Sequence, residues 1–228
     1  MKNLHSTLTT LFYLLITINC YSQESQYCAT QTLEEDIQFI NNNMDLIRYY
    51  ENEYFLLKES KTSTALTSIP VKIHIITNDD GSGGIEINDV LSELDEVNSY
   101  FQNSFVEFFV CDDVNYINSS SLYDFDSDTQ QDLLFSNHQS DILNIYFVND
   151  ISFGAGGACG YTYLPGNSNQ YYDVIVMDND CTTSTDGTTL THEFGHHLNL
   201  MHTHGPQNGS LTDELVNGTN CSVAGDLL

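Results

Sequence analysis

Thr191-His192-Glu193-Phe194-Gly195-His196-His197-Leu198-Asn199-Leu200-Met201-His202 is the stretch on which the reading of this chain turns. It holds H-E-x-x-H followed by a third histidine six residues on. On a helix His192 and His196 lie one turn apart on one face, where two imidazoles can reach one metal ion. Leu190, Phe194 and Leu198 fall on the opposite side and can anchor the helix to a core. His202 cannot join on a continuing helix, so the helix must stop and the chain must turn back. Asn199 stands where that break is needed. Asn is among the few residues besides Gly that tolerate the left-handed conformation in which helices end.

Three neutral imidazoles make a Zn2+ set that leaves one position for water, acidified to a pKa of about 7 in well-studied sites. The expected metal ligands are therefore His192, His196 and His202. Glu193, beside the first ligand, is the candidate catalytic base: it takes the water's proton and delivers it to the leaving amine. The implied reaction is peptide hydrolysis without a covalent intermediate. His197 and His204 read as bystanders, His74 as a packed or hydrogen-bonded strand residue, and His138 has no partner spacing. A purely structural zinc site needs no base and usually closes its fourth position with a protein ligand. A non-catalytic zinc-binding or adhesive extracellular module is accordingly the alternative reading. Hydrolysis of a non-peptide substrate is a third reading that the motif alone leaves open.

Outward from this segment the pattern is α+β. The active-site helix opens near Asp186 or Thr188 and runs to about Leu198. Ile69 to Ile76 alternates at period two and reads as a strand. Asn88 to Phe101 carries Val90, Leu91, Leu94, Val97 and Tyr100 at helical spacing, with Asn88 as the expected N-cap. Further strands are expected at 106–111, 142–148, 160–164 (short and exposed-looking) and 172–177, with a short helix at 127–134. Residues 26–61 read as a polar helical segment, and the Ser/Thr-rich stretch from Ser60 to Ser68 as a linker.

Composition narrows the setting. Five Lys and Arg face 32 Asp and Glu, a formal charge of −27, which repels phosphate backbones and anionic membranes. No nucleic-acid partner is expected. The acidity reads as solubility in an oxidising exterior, with Ca2+ binding through loops such as Asp178-Asn179-Asp180 as the sharper variant. Residues 1–22 have the build of a secretory signal: Lys2, an apolar run led by Leu11 to Ile16, and small residues before Gln23. After its removal the protein is expected to be secreted, with no membrane attachment; the sequence leaves the oligomeric state open. Cys28, Cys111, Cys159, Cys181 and Cys221 then remain, an odd number for an oxidising compartment.

The zinc segment, Leu190-Thr191-His192-Glu193-Phe194-Gly195-His196 followed by Leu198-Asn199-Leu200-Met201-His202-Thr203, resembles the pappalysin family of metzincin metallopeptidases. His204 departs from the aromatic that usually follows His-Thr there. Residues 69–74, 160–166 and 172–176 are similar to the family's first strand, its substrate-facing edge strand and the strand before the active-site helix. The resemblance implies a zincin catalytic domain: a twisted five-stranded mixed sheet with a backing helix and an active-site helix, preceded by a short prosegment. The domains implied are a signal at 1–22, prosegment and linker at 23–68, and the catalytic domain at 69–228 with its C-terminal subdomain incomplete. The family's methionine-bearing turn beneath the zinc is not found by residue 228, and Met201 cannot serve; a chain cut short is the expectation, with Cys221 pairing beyond it. Cys159 with Cys181 is one pairing available within the chain, although sequence does not settle connectivity. A protein or peptide substrate is implied, lying along the edge strand. Relatives made as zymogens imply Cys28 as a latency ligand on the open zinc position; the competing reading is a Cys28–Cys111 disulfide.

Overall fold

The computed structural model describes residues 28–30, 32–60, 66–154, 156–165, 173–183 and 188–202. The expected signal, His204, Cys221 and the rest of 203–228 lie outside the described residues. In chain order come α1 (Glu34–Ser60), β1 (Thr67–Thr77), α2 (Ile87–Phe101), β2 (Val106–Val110), β3 (Asn115–Asn118), β4 (Asp124–Asp126), β5 (Leu143–Val148), β6 (Asp150–Phe153), β7 (Gly156–Gly157), β8 (Gly160–Thr162), β9 (Val174–Asp178) and α3 (Thr188–His197). Single helical turns at Ser120–Tyr123, Gln131–Leu134 and Asn179–Thr182 punctuate the connections.

The main sheet runs β2-β1-β5-β9-β8, with β3 also on β1. It has six strands, one more than expected. β1 is long enough to take two short partners on one edge: β2 pairs with Thr67–Val71 and β3 with His74–Thr77. Four polar-flanked residues, Asn115-Tyr116-Ile117-Asn118, carry too little alternation to announce β3 in advance. All pairings are parallel except β8 on β9, so the sheet is mixed. β4, β6 and β7 form a second, three-stranded sheet.

Period-two alternation sends side chains to two cores. Val71, Ile73, Ile75, Ile145, Phe147, Ile175 and Met177 pack against α2 and α3, whose Val90, Leu94, Val97, Leu190 and Phe194 complete that cluster. Ile76, Tyr146, Val148, Val174, Val176 and Tyr161 face the other way, against Leu122, Phe125, Leu134, Phe135 and Ile151. Sheet, helices and outer strands thus make an α+β architecture. α2 begins one residue before Asn88, at Ile87, with Glu86 in the cap position and no side-chain capping bond. Ile85 and Ile87, both packed into the first cluster, set the entry of the helix, so Asn88 falls inside its first turn.

α1 starts where Asp36 Oδ2 accepts from the Leu33 N–H at 2.7 Å, half of a capping box. Along its length it touches the body through buried Ile40 and through Tyr54, whose hydroxyl donates to the Asn103 carbonyl at 3.0 Å. Ahead of α1, residues 28–30 lie against β8: Cys28 bridges Gly160 in parallel, and the Ala29 N–H donates to the Gly160 carbonyl at 3.0 Å. β8 is consequently buried at all three residues, against the exposed-looking strand expected there. A local pattern cannot report a cover supplied by a segment some 130 residues away. No helix of the described residues is long and apolar enough to cross a membrane.

Candidate active site

α3 delivers Glu193 and two of the three histidines from one surface while its other surface anchors it. Phe194 is fully buried and lies 4.2 Å, ring centre to ring centre, from Phe108 of β2. Burying such a side chain contributes roughly 1.5–3 kcal/mol. The helix ends in the way His202 requires. Asn199 has φ of 73°, its N–H donates to the His196 carbonyl at 2.8 Å, and the Leu200 N–H donates to the Gly195 carbonyl at 2.9 Å. That pair of bonds is a Schellman stop with Asn199 as the left-handed residue. The chain then reverses and returns His202 beneath the helix, where it is buried.

Three imidazoles meet as a result. His196 Nε2 lies 2.9 Å from His192 Nε2 and 3.1 Å from His202 Nε2. The His196 ring stands at 86° to His192 and 83° to His202, so the rings surround one point. His196 Nδ1 lies 2.6 Å from the Leu200 carbonyl, which can only accept. Nδ1 therefore carries the proton and Nε2 is left as a lone-pair donor. Lone pairs facing one another at this range repel unless a cation or proton sits among them. The donor set thus fits a divalent metal that takes nitrogen ligands, zinc above all.

Cys28 belongs to the same cluster: one ligand atom each from Cys28, His192, His196 and His202 all lie within 4.8 Å of one another. Cys28 and Cys111 both remain thiols, so the disulfide between them, the competing reading, is not formed. Burial, and next the charge of Glu193, push the Cys28 thiol well above its ordinary range. A thiolate at this place needs a cation beside it. The other expected pair is present: Cys159, just before β8, is bonded to Cys181, just after β9, with Cα atoms 5.4 Å apart.

Glu193 is fully buried. Burial pushes its carboxyl up to about 7, while hydrogen bonds from Cys28 and Thr30 hold it down. Gly160 permits the close approach of α3 to β8: a Cβ there would come within 3.1 Å of Glu193 Cγ and of the Val176 carbonyl oxygen. A cleft of about 190 Å3 opens beside these groups, lined by Cys28, Cys159, Thr188, Thr189, His192 and Glu193.

Thr30 is a site residue that the sequence did not disclose. Its hydroxyl lies 3.0 Å from Glu193 Oε2 and 3.3 Å from the Thr162 carbonyl, and accepts from the Thr162 N–H at 2.9 Å. The one proton it has goes best to the carboxylate. The only hint was spacing: in an extended segment residues 28 and 30 share a side, so a partner for Cys28 implied one for Thr30.

The remaining expectations sort cleanly. His74 is outside the cluster, buried, stacked on Tyr146 at 4.2 Å and bonded to Asn144 and Asn115. His197 points no ligand atom into the cluster. Calcium finds no support among the described residues, where the histidine–cysteine group is the metal-ligand cluster present. In the Asp178-Asn179-Asp180 stretch, Asp178 Oδ1 instead caps a helical turn, accepting from the N–H groups of Asp180 and Cys181.

Comparison with known proteins adds an independent line. The family model described as "Pregnancy-associated plasma protein-A" matches residues 125–223. An "Extracellular metalloprotease" of Arthroderma benhamiae is 27% identical over 161 residues, covering 66% of this chain and 57% of that protein. "Extracellular metalloprotease 1" of Coccidioides posadasii is 35% identical over 72 residues, 27% of this chain and 25% of that protein. The chain spans 57% of the length of the Arthroderma relative. Among solved structures, a mutant of Tannerella forsythia promirolysin aligns with a TM-score of 0.50 and 19% identity, covering 86% of this chain and 74% of that one. At that identity the likeness speaks for the fold.

Proposed function

We propose, from the premise that residues 125–223 belong to the pappalysin family of metzincin metallopeptidases, that this protein is a secreted zinc-dependent endopeptidase made in a latent form. The observation that carries the reading is a fully buried carboxylate, Glu193, held on the same helix as two of three converging imidazoles. His192, His196 and His202 would hold the zinc. Zinc, when bound, supplies Lewis acidity and lowers the pKa of water toward neutrality. Glu193 takes the proton from the attacking water and returns it to the leaving nitrogen. The peptide substrate adds through main-chain hydrogen bonds to the edge of β8 that residues 28–30 cover in the latent form.

Residues 1–22 act as the signal, 23–68 as prosegment and linker, and 69–228 as the catalytic part. Cys28 is the latency ligand. Its nearness to the three imidazoles supports this, as does the lie of residues 28–30 along the edge that substrate would use. The extracellular setting is supported by the names of the relatives.

The test measures zinc content and cleavage of a denatured protein by the processed full-length protein and by Glu193→Gln. One equivalent of zinc in both, with cleavage by the wild type alone, is the expected result. Zinc in both with cleavage by neither, across varied substrates, would favour the non-catalytic module.

A further inference from the structure

The segment ahead of β1 meets the rest of the molecule at two places, and the second lies away from the cleft. At the first, residues 28–30 lie along β8, and Asp36 and Ile40 of α1 are buried. From 41 to 53 no residue of α1 is buried. Contact resumes at half-buried Tyr54, about 21 Å beyond Ile40 along the helix axis. The Tyr54 hydroxyl donates to the Asn103 carbonyl at 3.0 Å, and its ring lies 6.2 Å from that of Phe105. The surface it meets is a strained piece of backbone. The turn Gln102–Ser104, which follows α2, ends at Phe105 with φ of 59°, in the left-handed region that bulky side chains rarely adopt. The Thr67 N–H donates to the Phe105 carbonyl at 2.8 Å and ties it to the start of β1. Just beyond, Phe108 bonds through both its N–H and its carbonyl to the Asn98 side chain, at 2.7 and 2.9 Å, and its ring packs on Phe194 of α3. Asn103 and Phe105 are thus held in place by bonds that α1 does not supply. Strained backbone persists where its surroundings over-determine it, and it gathers at clamps and switches.

We propose that Asn103 and Phe105 form a docking surface for Tyr54, and that this latch keeps the prosegment seated in the cleft after the chain is cut between α1 and β1. The inference rests on the reading of residues 23–68 as a prosegment. α1 ends at Ser60 and β1 begins at Thr67, so a cut between them leaves Tyr54 on the prosegment side. Three ties then reduce to two: residues 28–30 on β8, and Tyr54 on the α2–β2 turn. A helix joins these two anchors. When one opens, the other keeps it close, at an effective concentration of millimolar order for a short connection. Rebinding therefore outruns escape. Cutting the linker removes only the covalent tie, and separating the anchors takes a second cut, in the exposed span 41–53. Latency is lost in two steps rather than one.

The test follows the cut fragment and does not depend on catalysis. Once residues 1–22 are gone, Lys58 and Lys61 are the lysines ahead of β1, and Lys72 comes next, inside β1. A lysine-specific endoprotease therefore cuts the native full-length protein just beyond Tyr54. The fragment is expected to co-elute with the body in gel filtration, with latency kept. Tyr54→Ala should speed its loss about fiftyfold, and Tyr54→Phe, which removes the hydroxyl alone, about fivefold. Because the Phe variant keeps the ring, it reads the hydroxyl even if Ala perturbs α1. Tyr50→Ala, one turn earlier at an exposed position, should match the wild type. Loss of the wild-type fragment at the moment of cutting would overturn retention. Equal rates of loss in Tyr54→Ala and Tyr50→Ala would overturn the latch. A body that holds the fragment through Tyr54, yet cleaves no protein once stripped of it in mild urea, would keep the latch and fault the endopeptidase reading.

Discussion

Thr30 and Cys28 act on different partners of one site, and that separates their effects. The thiol lies among the three imidazoles, whereas the Thr30 hydroxyl ties the carboxylate of Glu193 to the main chain of β8. Hydrogen bonds to charged groups contribute roughly 1.5–3 kcal/mol. Thr30→Val keeps the shape and removes the hydroxyl, so it should loosen the segment by about that much. Cys28→Ala should release the metal cluster. Each variant is expected to raise the activity of the unprocessed protein, and the double variant to raise it further. Latency that survives in the double variant would show that residues 28–30 do not restrain the enzyme. The histidines and Glu193 were legible in the sequence because their spacing is itself the chemistry. Thr30 was not, because a threonine acquires meaning only from what a fold places opposite it.

At the scale of elements, the end of α3 decides whether a third imidazole can join the other two. The left-handed position of Asn199 costs a β-branched residue more than it costs Asn, and costs Gly nothing. Asn199→Gly is expected to keep stability and zinc retention. Asn199→Val is expected to lose about 1–2 kcal/mol and to yield zinc more readily to a chelator. Equal retention by Val and Gly variants would mean that the helix stop does not control His202. This stop was foreseen from one residue's conformational tolerance. The long strands were likewise foreseen within a few residues, because their alternation is strong. β3 and the β4-β6-β7 sheet were not, since two to four residues carry no readable period. The start of α2 was misplaced because core packing of Ile85 and Ile87 outweighed capping preference at Asn88.

For the whole molecule, His74 joins three strands of the sheet. From β1 it meets Asn115 of β3 and both Asn144 and Tyr146 of β5. Burial holds its pKa at about 4 rather than 6.5, and the hydrogen bond to Asn144 only partly offsets this. The neutral ring is thus the folded form. Its contribution is complete above pH 6.5 and is lost as pH falls toward 4, by roughly 3 kcal/mol in all. Urea unfolding at pH 7 and pH 4 should show this loss, and His74→Gln should shrink the difference between the two pH values. An unchanged difference would assign the acid sensitivity elsewhere. The sequence by itself determined the histidine trio, the glutamate beside it, the helix break and the α+β order, because each is a property of neighbours along the chain: a spacing, a tolerance or a period. Only the tertiary structure decided what meets the site from afar. It brought Cys28 to the imidazoles and Thr30 to Glu193, and it buried the edge strand beneath them. Those contacts join residues more than 130 positions apart, a distance over which local pattern carries no information.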